Sequence, residues 1–359
     1  MIGNFSFRRA LSAALLLMFS LAPGWAAANP RIALLDQPAM QSAKASHAVL
    51  LAVARAGERL VAVGERGIVL LSDDSGTTWR QAQVPVSVSL TAVQFVSAQQ
   101  GWAVGHMGVV LRSTDGGETW SKQLDGNAAA QLALVSARQD GDAKRLSDAE
   151  RLVADGPDKP FLDLYFSDPR NGYVVGAYGL ILRTEDGGQS WQPWMQQVDN
   201  PEDLNLYGIR AAGNALFMVG ERGLLLRSND NGHSFQALES PYAGSFFGVQ
   251  GNARGELVAF GLRGNVFWSG DQGASWRPLQ TGLEVALSAA TPLPDGALVL
   301  ASQAGDLLLS AGRGGRFRSL SAPVGTSIAG LVAAPDGSLI CVGLGGVIRL
   351  NPDLFSAQR

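Results

Sequence analysis

Gly105 to Trp120 reads GHMGVVLRSTDGGETW, an apolar run entered through one glycine-flanked turn and left through a second that carries an acid. The pattern recurs at Gly64 to Trp79 (GERGIVLLSDDSGTTW), Gly176 to Trp191 (GAYGLILRTEDGGQSW), Gly220 to Phe235 (GERGLLLRSNDNGHSF) and Gly261 to Trp276 (GLRGNVFWSGDQGASW). A decayed copy runs from Ser302 to Phe317, and a truncated one begins at Gly343 and stops near Leu350.

The copies start at 64, 105, 176, 220, 261, 302 and 343, so the spacing is 41 residues four times, 44 once and 71 once. A period of about 40 to 45 residues with turn signals inside each unit marks a β-propeller in which each repeat forms one four-stranded blade. The sequence therefore predicts an all-β, seven-bladed propeller. Length alone would suggest two domains, but a closed ring of repeats is a single unit spanning 29–359.

With 44 Gly, 46% apolar and 16% charged residues, the 359-residue chain has the composition of a glycine-rich, strand-forming globular protein. Residues 1–28 have a short basic start (Arg8, Arg9), an apolar run from Ala10 to Ala22 and small residues at Ala26 to Ala28. This reads as a cleavable secretory signal cut after Ala28, the run being too short to span a bilayer comfortably. Export to the periplasm of a Gram-negative bacterium is expected, or to the thylakoid lumen in a photosynthetic host. Losing Arg8 and Arg9 takes the formal net charge from −3 to −5, which argues against indiscriminate nucleic-acid or anionic-lipid binding. Cys341 is the sole cysteine; it sits in an apolar segment and reads as a core residue.

Strands are placed from the second copy: Leu90 to Val96 inner, Trp102 to Gly105 second, Val109 to Ser113 third and Thr119 to Gln123 outer. The turn between the second and third strands then shares a face with the blade-to-blade connectors, and the acidic turn lies on the opposite face. In that acidic turn a carboxylate can accept from its own loop's N–H groups, glycine allows a backbone conformation closed to other residues, and the aromatic anchors the outer strand. The sets are Asp74 with Trp79, Asp115 with Trp120, Asp186 with Trp191, Asp230 with Phe235, and Asp271 with Trp276; Gly312 replaces the acid in the sixth unit.

This unit is similar to the Asp-box, or BNR, repeat. With the preceding GWAVGHMG segment it resembles the repeat of the photosystem II stability and assembly factor family of seven-bladed propellers, over roughly Ala48 to Leu350. That resemblance implies a non-enzymatic propeller that helps a membrane-protein subunit to assemble. It also brings in similar exported propellers of bacteria without photosystems, some associated with transporters of the resistance-nodulation-division class.

Two features break the repeat. Arg31 to Leu35 (RIALL) precedes the first unit and resembles the segments after each aromatic, whereas the last unit lacks such an ending. The N-terminal strand is therefore expected to complete the seventh blade and lock the ring. Between the second and third units lies an insertion, 125–160, Ala-rich and charged, in which Ser147 to Glu150 (SDAE) reads as the capping box of a short helix ending before Gly156 and Pro157. It must emerge on the connector face, as a spacer, a flap over the central opening or a docking surface. Trp194 and Met195 on the next connector would add an apolar contact there.

The acidic turns repeat on separate blades, so they read as structure; a catalytic centre needs unlike groups that converge. Glycoside hydrolysis is the enzymatic alternative that Asp-box propellers raise. A sialidase-like site needs three arginines, a Tyr paired with a Glu, and an acid/base Asp around the opening. No arginine stands in the expected early Arg-Ile-Pro signature, and only Tyr178 with Glu65 and Glu221 could meet across the opening. His47, His106 and His233 have no ligand spacing, so no metal and no cofactor are expected. Arg66, Arg222 and Arg263 recur at one position of the strand-two-to-three turn, with Tyr178 and His106 on equivalent turns. They form the candidate surface for a protein partner, an acidic or carboxylate-bearing segment of a membrane protein, arginine being suited to forked carboxylate contacts. The bland alternative pairs Arg66 and Arg222 with their adjacent glutamates. A monomer with no catalysis and no nucleic-acid partner is expected.

Overall fold

A computed structural model describes residues 33–252, 254–310, 315–320 and 324–356, with the backbone alone for Phe355 and Ser356. The signal-peptide reading (1–28), Arg31 and the Gly312 substitution lie outside these residues. Among the described residues seven antiparallel sheets follow one another along the chain, six of four strands and the last of three. Blade 2 has Leu90–Phe95 inner, Gly101–Gly105 second, Val110–Ser113 third and Ser121–Leu124 outer, each within two residues of the expected positions.

The middle strands are apolar almost without a break because each blade is covered on both sides by its neighbours. Gly101–Gly105 and Gly172–Gly176 are buried throughout. Between blades 2 and 3 the Trp102 ring stacks on Phe166 at 3.7 Å between centroids, with the planes 8° apart. Every inner strand carries a register shift at its connector end, as between Leu90 and Ala92, or Leu206 and Gly208. Such a bulge leaves one residue unpaired and re-aims its side chain. These residues, from Leu51 and Thr91 through Tyr207 and Phe247 to Ala329, line an axial channel of about 230 Å³.

The ring closes differently from the sequence expectation. Ala33–Leu35 is a 3-10 turn, not the outer strand of the seventh blade. Its Leu34 and Leu35 carbonyls accept from the Ser87 N–H (2.9 Å) and the Lys122 ammonium (3.0 Å), near the boundary of blades 1 and 2. From there the chain runs along blade 1, where the Ala39 N–H donates to the Val84 carbonyl and the Gln41 amide to Ala82. It reaches blade 7 only as a second 3-10 turn, Ala45–His47, and a Cβ on Gly346 would lie 2.1 Å from the Ser46 carbonyl oxygen. Blades 1 and 7 meet by side packing of Leu50, Leu60, Ala62 and Leu70 on Ile340 and Val342. The Leu34 and Leu35 carbonyls are thus engaged at the first blade boundary and not in a ladder of blade 7.

The insertion is also larger in helix than expected. Two helices, α1 (Gly126–Asp140) and α2 (Ala143–Asp155), form a hairpin. Asp125 caps α1 by accepting from the Asn127 and Ala128 N–H groups, and Asp142 caps α2 by accepting from Arg145. Ser147 to Glu150 therefore lies inside α2, where its pattern serves no cap, although the helix does end at Gly156.

Connectors lie tightly on the strand-two-to-three turns. Gly223 has φ +82°, and a Cβ there would sit 2.0 Å from the Tyr242 carbonyl oxygen of the next connector. Gly223→Ala is expected to cost more than about 1 kcal/mol, since both the left-handed backbone and the close approach exclude a side chain. A urea midpoint equal to wild type would show that the connector does not need this contact.

Candidate partner-binding face

In blades 1 to 5 the strand-two-to-three turn is a Gly-x-x-Gly loop whose third residue is held left-handed: Arg66, Met107, Tyr178, Arg222 and Arg263 have φ between +51° and +56°. The residue before it donates its N–H to the connector, as Glu65 does to Val49 (2.9 Å) and Glu221 to Asn205 (3.1 Å). Five bulky side chains thus stand at matching tips on one face, and Arg66, Arg222, Arg263 and Tyr178 are exposed. His106, one position earlier in blade 2, is exposed as well.

The adjacent glutamates are not the arginines' partners. Glu65 accepts from the Val49 N–H at 3.1 Å, and Glu221 from the Asn205 N–H at 2.9 Å and the Tyr207 hydroxyl at 3.3 Å. Arg222 pairs instead with Glu202. Among the described residues the Arg66 and Arg263 guanidinium groups make no ion pair or hydrogen bond. Arg222 and Arg263 stand on consecutive blades, 4 and 5, while Arg66 stands on blade 1, so the turns do not gather all three on one edge.

Tyr178 belongs to a different neighbourhood. It is 64% exposed, and the Lys159 ammonium lies 5.1 Å from its ring centroid. The helical hairpin packs beside it: Ala129, Leu132 and Leu152 join the core between blades 2 and 3, and Met195 packs against Ala133, Leu134, Ala137 and Ala149. A cleft of about 370 Å³ remains between hairpin and blade 3. The hairpin contributes no residue to the axial channel. Trp194 turns away to donate to the Gly232 carbonyl at 2.9 Å, with Arg183 over its ring.

The Asp turns lie on the opposite face and repeat one geometry. In blade 1, Asp74 accepts from the Ser72 hydroxyl (2.8 Å), the Thr78 N–H (2.9 Å) and the Thr78 hydroxyl (2.6 Å), while the Gly76 N–H donates to the Ser72 oxygen. Asp115, Asp186, Asp230 and Asp271 make the same set. Trp120, Trp191 and Phe235 are buried beneath their turns, with Trp79 and Trp276 half-buried. The Thr78 hydroxyl and N–H bring Asp74 down to about 2. For Asp186 and Asp230 burial pushes upward, and the hydrogen bonds outweigh it to hold both at about 2.

One further contact was not foreseen. The carbonyl of the residue before each Asp turn's last glycine accepts from the second or third strand of the preceding blade. Arg59 donates to Gly116 (3.1 Å), Trp102 to Gly187 (3.1 Å), Tyr173 to Asn231 (3.4 Å), Arg227 to Gln272 (3.0 Å) and Arg349 to Ser75 (3.0 Å). The last of these ties blade 7 to blade 1.

The glycosidase constellation is not the one considered from sequence. Tyr178 sits in the hairpin cleft, away from Glu65 and Glu221. A Tyr–Glu contact does form, between Tyr207 and Glu221 beside the channel, but burial raises the Tyr207 phenol above its ordinary value, which opposes a nucleophile. Among the described residues Arg210 is the one arginine lining the channel, and Asp163 holds it at 2.5 Å. A three-arginine carboxylate clamp is not assembled among these residues. No group of three or more His, Cys, Asp or Glu among the described residues is placed to hold a metal ion, and burial pushes the Cys341 thiol up to about 12.

A family model described as photosynthesis system II assembly factor YCF48 matches residues 71–144 and 143–353. Over 45 residues the chain is 42% identical to the chloroplastic photosystem II stability/assembly factor HCF136 of Cyanidioschyzon merolae, covering 12% of this chain and 10% of the relative. Over 48 residues it is 40% identical to the photosystem II assembly lipoprotein Ycf48 of Prochlorococcus marinus, covering 13% and 14%. These alignments span only a small part of the curated relatives. Among solved structures, one described as YCF48 bound to D1 peptide superposes with TM-score 0.64 at 17% identity, over 87% of this chain and 95% of the other. YCF48 from Cyanidioschyzon merolae gives 0.61 at 16%, over 86% and 97%. The WD40 propeller of Doa1 gives 0.62 at 10%, over 88% and 95%, so this likeness is one of fold.

Proposed function

The chain belongs to the photosystem II assembly factor family of β-propellers, and from that premise we propose that it is a non-catalytic, exported scaffold that helps a membrane protein to assemble. The connector face receives an acidic segment of the client, with Arg66, Arg222 and Arg263 as its cationic contacts. One observation carries this reading: Arg66 and Arg263 are exposed without ion-pair partners among the described residues, while the neighbouring Glu65 and Glu221 are occupied by the backbone. Two unneutralised guanidinium groups on one face suit a carboxylate-bearing chain. The similar propeller solved with a D1 peptide supports a segment of a photosystem-type membrane protein as the client.

The test is titration of a labelled D1 peptide into wild type and into the Arg66→Ala, Arg222→Ala, Arg263→Ala variant. A loss of at least about tenfold is expected, on the order of one charge-assisted contact. The wild-type affinity should also weaken with salt. Equal affinity in the triple variant would remove these arginines from the contact.

A further inference from the structure

We propose that the open edge of blade 7, the third strand Gly346–Leu350, binds an extended segment of a partner polypeptide as its fourth strand, and that this segment carries an aromatic residue with an apolar residue three positions later. The site is separate from the repeated arginines and does not depend on their reading.

The edge lacks a cover that the other six blades have. Their sheets carry an outer strand on the third, whereas blade 7 ends at its third strand among the described residues. Val347, Ile348, Arg349 and Leu350 are all partly exposed, while Val69–Ser72 in blade 1 are all buried. Register makes the two strands equivalent, since Val347 faces Val342 as Val69 faces Val63. In the covered blades the carbonyl at this position accepts an N–H from the outer segment: Val69 from Ala82 (2.9 Å), Ile181 from Trp194 (2.9 Å), Leu225 from Leu238 (2.9 Å) and Leu307 from Leu320 (2.8 Å). The Val347 carbonyl has no such donor among the described residues. Alternate residues of an antiparallel strand turn their backbone groups to the same side, so Arg349 presents its N–H and C=O beside those of Val347. Such an edge is a template for an added strand.

The sister blades show what fits it. Trp79 and Ala82, Trp191 and Trp194, Phe235 and Leu238, Trp276 and Leu279, and Phe317 and Leu320 each lie three apart. In blade 2 the interval from Trp120 to Leu124 is four, and a register shift takes up the extra residue. The residues between the two anchors pair with the third strand, as Gln236 does with Arg227 and Ala237 with Leu226. The apolar anchor then enters the core, as Leu238, Leu279 and Leu320 do. The aromatic packs at the boundary with the preceding blade, as Trp79 does against blade 7 and Phe235 against Tyr173 of blade 3. At the matching boundary of blades 6 and 7, Leu350 and Leu354 lie partly buried on the core and offer apolar contact to an incoming ring.

Charge plays little part. The Arg349 guanidinium is already committed to the Ser75 carbonyl and Asp336, so recognition rests on backbone bonds and two apolar anchors. The Ala45–His47 turn lies against Gly346, which keeps the added strand short, like the two to four residues of Arg80–Gln81 and Ser121–Leu124.

The probe is a peptide copying residues 233–240 (HSFQALES), titrated into the isotope-labelled full chain and followed by NMR. In the free protein the Val347 and Arg349 amides should exchange rapidly with solvent, and saturating peptide should slow them at least about tenfold. Methylating the backbone nitrogen of the peptide's Leu, or replacing its Phe or its Leu by Ser, should weaken binding at least about tenfold. The Arg66→Ala, Arg222→Ala, Arg263→Ala variant should bind this peptide as wild type does, so the two readings fail separately. Absence of saturation, protection lying elsewhere than Gly346–Leu350, or full affinity of the altered peptides would overturn the proposal. Slow exchange of Val347 and Arg349 in the free monomer would show that the chain covers its own edge. Slow exchange that appears only as the protein dimerises would give the edge to a second copy, and either result refutes a partner segment there.

Discussion

Trp102→Ala is expected to destabilise the ring by about 3–5 kcal/mol, the range for removing a fully buried large aromatic. The indole is completely buried and stacks on Phe166 of the next blade. Its Nε1 donates across the same boundary to the Gly187 carbonyl. Truncation opens a cavity between blades 2 and 3 and strands a buried carbonyl. Trp102→Phe partly separates these effects, because it keeps a ring against Phe166 while removing the donor and a smaller volume, with an expected cost of about 1–3 kcal/mol. Urea unfolding of both variants decides the matter. Similar losses would show that the hydrogen bond dominates, and a Trp102→Ala loss below about 1 kcal/mol would mean that the blades repack freely.

The second large effect is acid sensitivity. Asp74, Asp186 and Asp230 are held at about 2 in the folded ring against an ordinary 3.8, and Asp115 and Asp271 are lowered as well. A folded-state pKa below the unfolded one contributes stability that is complete above the unfolded value. That stability is lost as pH falls through the folded value. The melting temperature should therefore be flat with respect to these groups above about pH 5 and fall steeply between about pH 4 and 2. Five turns lose their carboxylate acceptors over one window, so the effects accumulate although each group is near the surface and partly screened. Asp73 and Glu118, paired with Arg59 and Arg80, titrate low too. Asn variants separate the contributions: Asp186→Asn should be less stable at pH 7 and lose less on acidification. A variant as acid-sensitive as wild type would take that turn out of the account.

The ring was legible because the Asp turn needs a hydroxyl, a carboxylate, a glycine and an aromatic at fixed offsets, and five copies retain them. Strand positions followed from the same register. The contacts between blades were not legible, because the five donors to the turn carbonyls differ in residue type and come from two different strands: Arg59, Trp102 and Tyr173 from second strands, Arg227 and Arg349 from third strands. Helix α1 was hidden by its cap, Asp125, which also ends a strand, while the more conspicuous Ser147 to Glu150 pattern falls mid-helix. RIALL reads as a strand by composition, yet the carbonyls of Leu34 and Leu35 are taken by Ser87 and Lys122. At the candidate face the arginine positions followed from the repeat. What their neighbours do did not, since the inward turn of Glu65 and Glu221 depends on N–H groups 16 residues away. The Tyr207 to Glu221 contact depends on a bulge that aims Tyr207 at the channel, and no spacing rule announces it.

The seam between blades 7 and 1 carries the same devices as the joints elsewhere in the ring, namely interlocking aliphatic side chains and a donor from one blade to the turn carbonyl of the next. No strand is borrowed across it in the described residues. Blade order is therefore cyclic in the mechanical sense: among the described residues a load on the joint between blades 7 and 1 meets packing and a hydrogen bond of the kind found at the other joints, with the Ala45–His47 turn added beside Gly346.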